Sequence, residues 1–344
     1  MKRRIIVIGS LLIAGVLLFL AVRAIRYEHY PAHVDPSPEW EPYISSLDIQ
    51  RESFFVDSNG VQLEAELFIP NGGSERKGAV VFSPGSGDSL YQNYSSYGLI
   101  ETYVLGVFLP RDMAVLLVNK RGMGQSEGSW VKNDFQGRAN DLYAAVQAIQ
   151  THPSIDSTNI GLIGHSQGGW IVGLTAAQHE DISFFISLAG PTTTVERNAE
   201  DNKYHYFSCQ GYEGAALDEK VAKEMRLTQL GVQLGKLTDF GMFGLDARIF
   251  PYDPADALRT VESPGLLVYA ENDDQVTPAL SLDRLNELFD GNVPDNLTTV
   301  VIDDATHAFR LVSDPCESWV DVQSQPQSTE LTMVLNNWLT EQGY

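Results

Sequence analysis

Ile160-Gly161-Leu162-Ile163-Gly164-His165-Ser166-Gln167-Gly168-Gly169-Trp170-Ile171-Val172 is the stretch on which the fold turns. Its first four residues pattern as a buried strand, which runs into Gly-His-Ser-Gln-Gly and straight on into the apolar start of a helix. A strand-to-helix corner this sharp has no room for side chains beside the serine, so glycine is needed two residues before it and two after. Such a corner lifts the Ser166 hydroxyl clear of the sheet.

The chain supplies its own control, because Gly124-Gln125-Ser126-Glu127-Gly128 has the same spacing. Ser126 follows the apolar run 113–118 only after a polar, glycine-rich stretch, and no helix pattern starts at it. It reads as a loop serine, and Ser166 is the candidate nucleophile.

Outward from the corner the pattern is strand, loop, helix, repeated. Short unbroken apolar runs at 79–82, 114–118, 160–163, 184–188, 266–269 and 297–302 read as strands buried on both faces. Between and after them, 139–149 and 331–339 place their apolar residues on one helical face. The alternation predicts an α/β fold, a mainly parallel twisted sheet with helices on both faces. Residues 53–56, a turn at Asp57-Ser58-Asn59-Gly60 and the alternating run 61–68 predict a hairpin at its start. One interval, 192–258, breaks the alternation with Tyr204, Tyr206, Phe207 and Tyr212 and a leucine-rich helical pattern. It is expected to form a cap inserted into a core of residues 48–191 and 259–344.

A serine hydroxyl is a weak nucleophile unless a base takes its proton, and the base needs a carboxylate to hold its tautomer. At a corner of this type the chain order is serine, then acid, then histidine. Of the seven histidines only His307 follows the later strands, just past the run 297–302, so it is the expected base. The acid should follow the preceding strand, where Glu271, Asp273 and Asp274 stand; Asp273 is the choice, with Asp274 next. An oxyanion needs two backbone donors already aimed at it. The N–H of Gln167 is one, and Ser86, in the glycine-containing loop after the run 79–82, is the other.

The formal charge is −22, and residues 1–26 hold five basic and no acidic groups, leaving 18 basic against 45 acidic. Nucleic acid is excluded as a partner by so acidic a surface. Residues 5–22 carry no charge after Lys2-Arg3-Arg4, and 18 helical residues span about 27 Å, near the thickness of a bilayer's hydrocarbon. Residues 1–26 are therefore expected to be a transmembrane signal anchor with the catalytic domain outside the cytoplasm, the alternative being a cleaved signal peptide and a secreted protein. Residues 27–47, with four prolines, read as a tether. Cys209 and Cys316 are either a disulfide or two free thiols, and no metal-binding spacing accompanies them.

Pro84-Gly85-Ser86-Gly87, Asn119-Lys120-Arg121-Gly122-Met123-Gly124-Gln125-Ser126, the Gly-His-Ser-Gln-Gly-Gly corner, Glu271-Asn272-Asp273-Asp274-Gln275-Val276-Thr277-Pro278 and Thr306-His307-Ala308-Phe309 together resemble the α/β-hydrolase superfamily over residues 53–341. Within it the chain is similar to bacterial esterases of the serine-aminopeptidase and dienelactone-hydrolase-like group, in which the Lys-Arg-Gly-x-Gly-x-Ser loop is structural. Pro84 departs from the histidine that many members carry there, a change that bears on the loop's rigidity. The resemblance implies hydrolysis of esters, thioesters or amides without a cofactor. The expectation is a membrane-anchored serine hydrolase acting on small carboxylic esters through an acyl-enzyme. A serine peptidase or thioesterase of the same fold, and a non-catalytic binding protein of that fold, are the alternatives.

Overall fold

The computed structural model describes residues 14–18, 36–317 and 322–344. An eight-stranded sheet is its centre, in the order β1-β2-β4-β3-β5-β6-β7-β8. The strands are β1 (Ile49–Ser58), β2 (Val61–Pro70), β3 (Lys77–Ser83), β4 (Ala114–Val118), β5 (Ile155–His165), β6 (Phe185–Leu188), β7 (Gly265–Ala270) and β8 (Leu297–Ile302). The pairs β1–β2 and β2–β4 are antiparallel and the remaining pairs parallel. Only β2 therefore runs against the rest, and the predicted hairpin is the β1–β2 pair.

Period-two patterning explains why the central strands read as unbroken apolar runs. In β4, Ala114, Leu116 and Val118 enter the core on one side of the sheet, while Val115 and Leu117 enter the core on the other. Helices cover both sides: α1 (Trp40–Ser45), α2 (Phe135–Gln150), α3 (Gln167–Gln178), then α4 (Val195–Cys209), α5 (Gly214–Thr238), α6 (Gly241–Ile249) and α7 (Ala255–Thr260), and finally α8 (Pro278–Leu288) and α9 (Thr329–Glu341). Helices α4 to α7 fall between β6 and β7, where the cap was expected.

One expectation needs correction. The tether expected over 27–47 gives way to folded domain before its end, because Trp40 on α1 is fully buried against the rings of Phe68 and Tyr91. A bulky indole on a short helix supplies enough apolar surface to dock it. The aromatic residues of α4 and the turn after it are divided between a small core and the surface. Phe207 packs with Val221, Met225, Val232 and Phe250 in a small core separate from the two that flank the sheet, and Tyr206 is 58% exposed. The leucines of α5 likewise point outward at 227, 230, 234 and 237.

Most of the anchor expected at 1–26 lies outside the described residues. Residues 14–18 are helical, and among the described residues no helix is long and apolar enough to cross a membrane. Cys209, at the end of α4, and Cys316, in the segment after β8, form a disulfide that closes a separation of 107 residues. It fastens α4 to the segment that carries His307.

Candidate active site

Ser166 occupies the corner between β5 and α3 with φ 56° and ψ −124°, a left-handed conformation that side chains adopt only under constraint. The constraint is visible in its neighbours. Its N–H donates to Leu188 O of β6 at 2.8 Å, and its carbonyl accepts from Gly169 N at 2.8 Å. A Cβ on Gly164 would stand 2.3 Å from Gly168 O, and one on Gly168 would stand 2.1 Å from Ser83 O. Both glycines of the pattern are thus required by close backbone approach, as the sequence reading holds.

Ser126 is placed quite differently. Its hydroxyl donates to Asn119 O at 3.0 Å and accepts from Glu64 N at 2.9 Å, and the residue is 7% exposed. Those bonds pin the loop after β4 to β2, a structural task that leaves no free hydroxyl.

His307 and Asp273 meet. Nδ1 of His307 lies 2.8 and 2.9 Å from the two carboxylate oxygens of Asp273, and both residues are buried. Asp273 Oδ1 also accepts from the N–H groups of Gln275 at 2.7 Å and Val276 at 2.8 Å, so the turn after β7 holds the carboxylate rigidly. A carboxylate only accepts, so Nδ1 carries the proton and Nε2 is left as a base. Burial opposes the charged ring, but the charge and hydrogen bond of Asp273, with Asp274 behind them, outweigh it and raise His307 above the ordinary imidazole value. Asp274 is exposed. Glu271 accepts from Asp304 N at 2.9 Å and so supports the loop that leads to His307.

Several residues at the site went unread in the sequence. His165, next to the serine, places Nε2 2.8 Å from His307 O, and the two rings lie 4.8 Å apart. Burial first, and the neighbouring His307 second, push His165 down to about 3, so it stays neutral and its Nε2–H donates. On the loop after β3, Gly85 abuts the serine, since a Cβ there would stand 3.2 Å from Ser166 Cβ. The Gly85 N–H donates to the Tyr94 hydroxyl. Lys120 and Arg138 reach the same loop from beneath, donating to Gly85 O at 2.9 Å, to Gly87 O and to Pro84 O; Arg138 also donates to Gln167 Oε1. One signal for Arg138 was available: it interrupts the buried face of α2, between Phe135 and Leu142, with a charge. A small cavity beside Gln167 is bounded by Gly87, Trp130, Phe135, Arg138 and, from the cap, Leu245.

Residues 80–322 match the family model described as the alpha/beta hydrolase family. The chain belongs to this family. Solved structures agree on the fold of the hydrolase. Est1E from Butyrivibrio proteoclasticus, with ferulic acid bound, is 17% identical with a TM-score of 0.55, the match covering 84% of this chain and 98% of that one. The Pyrococcus furiosus esterase Pf2001 is 15% identical with a TM-score of 0.57, over 86% and 92% of the two chains. The 2,6-dihydroxy-pseudo-oxynicotine hydrolase is 18% identical with a TM-score of 0.56, over 88% and 71%. No curated protein sequence matches the hydrolase.

Proposed function

We propose that this hydrolase cleaves carboxylic esters through an acyl-enzyme, with Ser166 as nucleophile, His307 as general base and acid, and Asp273 as the group that orients it. The observation that carries this reading is the buried Asp273–His307 pair, whose histidine touches the residue before a serine held at a positive φ. Ser166 Oγ attacks the ester carbonyl carbon as its proton passes to His307 Nε2. The carbonyl becomes a tetrahedral oxyanion, which the N–H groups of Gln167 and Ser86 receive. As the C–O bond to the alcohol breaks, His307 returns the proton to the leaving oxygen. Water, deprotonated by the same ring, then attacks the acyl carbon, and the ring returns that proton to Ser166 Oγ as the bond to serine breaks and the acid leaves.

Esters are favoured over peptides because the acidic side chains of the cap offer little to hold an amino terminus. Glu224 is engaged with Lys220 at 2.9 Å, and Glu213 and Glu219 face solvent. The likeness in fold to the Pyrococcus furiosus esterase Pf2001 supports the same reading. The disulfide favours an oxidising compartment, and with residues 5–22 it supports a catalytic domain outside the cytoplasm, held to a membrane or secreted. The test compares kcat/KM for p-nitrophenyl esters of two to eight acyl carbons with aminoacyl and dipeptidyl p-nitroanilides and with acyl thioesters. Esters should lead; anilides or thioesters outrunning every ester would overturn the ester assignment.

A further inference from the structure

Arg138, buried, and Lys120, half-buried, lie against a catalytic loop, and among the described residues neither makes an ion pair, although the charge of Asp88 acts on Lys120. The nearby Asp141 is instead taken up by Arg121, Ser58 and Asn133. Burying a guanidinium without a carboxylate is costly, so what Arg138 holds must offset that cost. What the two side chains hold is three of the four main-chain carbonyls from Pro84 to Gly87.

The run can be followed bond by bond. Pro84 O accepts from Arg138, and the N–H of that same peptide, on Gly85, goes to the Tyr94 hydroxyl. Gly85 O accepts from Lys120, and the N–H of that peptide belongs to Ser86. Gly87 O accepts from Lys120 again. A trans peptide is planar, with its C=O and N–H pointing in opposite directions. Drawing Gly85 O down onto Lys120 therefore turns the Ser86 N–H up, away from the two basic side chains, on a loop that abuts Ser166. Gly85 itself is no candidate donor, because Tyr94 already takes its N–H. Arg138 adds the other half: its guanidinium joins Pro84 O on the loop to Gln167 Oε1 at the start of α3.

We propose that Lys120 and Arg138 are positioning residues that together build the oxyanion hole, Lys120 by aiming the Ser86 N–H and Arg138 by locking the Ser86 loop to Gln167. The proposal rests on the Ser166 reading above. A hydrogen bond donated to the carbonyl also polarises that peptide and makes its N–H the stronger donor, and this needs no charge on Lys120, which burial and then the neighbouring Arg138 hold well below the ordinary lysine value against the pull of Asp88. Burial pulls Arg138 down to about 10, which leaves it charged at neutral pH. The loop is thus fixed before substrate arrives.

The experiment uses the full chain and the variants Lys120→Met, Arg138→Gln and Arg138→Lys. Three quantities are read: kcat and KM on the best ester, Ki for an alkyl trifluoromethyl ketone, and Ki for an N-alkyl amide of the same chain length. The ketone accepts Ser166 Oγ, passes the serine proton to His307 and leaves an oxyanion in the hole, whereas the amide binds without one. Losing a single oxyanion donor lowers kcat about 10²- to 10³-fold, and misaiming one should cost about 10- to 100-fold. Lys120→Met and Arg138→Gln are expected to lose that much in kcat and in ketone affinity, with KM and amide affinity within about threefold. Arg138→Lys should recover part of the loss. If Lys120→Met is not recovered folded by circular dichroism, Lys120→Gln carries the same expectation, since an amide donor is too short to reach both carbonyls. Full kcat in the Lys120 and Arg138→Gln variants, or equal weakening of ketone and amide, overturns the proposal. Ser166→Ala in the same assay separates the two claims, because turnover that survives it sinks the serine mechanism itself.

Discussion

The Nε2–H of His165 donates to the main-chain carbonyl of His307 at 2.8 Å, linking the residue before the serine to the residue that should take its proton. The bond lies between the ends of β5 and the segment after β8, 142 residues apart in sequence. Replacing His165 by alanine removes one buried hydrogen bond, worth about 1 kcal/mol, and leaves the His307 carbonyl unsatisfied. His165→Ala should lower kcat roughly 10-fold, with a smaller change in KM, in steady-state ester kinetics. Unchanged kcat would show that His307 is held adequately by Asp273 alone.

The raised His307 sets the acid limb of the pH profile. Only the neutral ring can accept the serine proton, so activity is lost as pH falls through the pKa of His307, which lies above the ordinary value of about 6.5. Asp273→Asn removes the chief raising influence, so the limb should move to lower pH while kcat falls by orders of magnitude. Asp274→Asn should move the limb in the same direction but less far, and keep most of kcat. Measuring kcat/KM from pH 5 to 9 for the three proteins checks both.

Gly168 tests the backbone argument. Its Cβ would stand 2.1 Å from a main-chain oxygen, and an oxygen on a strand cannot swing aside as a side chain might. Gly168→Ala should cost about 1–3 kcal/mol of stability and most of the activity. A denaturant melt alongside the ester assay measures the pair.

Closing a loop of about 100 residues is worth about 4.7 kcal/mol on the chain-entropy account, and removing a native disulfide commonly costs 2–5 kcal/mol. Because the bond joins α4 to the segment that carries His307, Cys209→Ser with Cys316→Ser should lower the melting temperature by several degrees. A melting point unchanged from the parent would place the pair outside the cooperative unit.

Much of this site was legible before any coordinate. The strands were read because those of the parallel part are buried on both faces, so burial appears as an unbroken apolar run that no helix face imitates over so short a length. Ser166, Asp273 and His307 were ordered by the direction of a parallel sheet, which delivers all three to the same edge. The segment after β3 was not read: Tyr91–Tyr97 is a 3₁₀ helix and Ile100–Leu105 a π-helix, and neither keeps the 3.6-residue period on which helix reading depends. Trp40 was missed because proline-rich surroundings hid a short helix whose docking depends on a single side chain. Lys120 and Arg138 were missed for a different reason. A basic side chain bonded to main-chain carbonyls leaves no partner residue in the sequence to betray it.

The central claim is that Ser166, and not Ser126, is the nucleophile. Treating the protein with a fluorophosphonate probe and mapping the adduct by peptide mass spectrometry addresses it most directly. The account predicts the phosphonyl group on Ser166, loss of labelling and turnover in Ser166→Ala, and both retained in Ser126→Ala, which should be destabilised by about 1 kcal/mol for its lost loop bonds. An adduct on Ser126, or ester turnover that persists in Ser166→Ala, would contradict it.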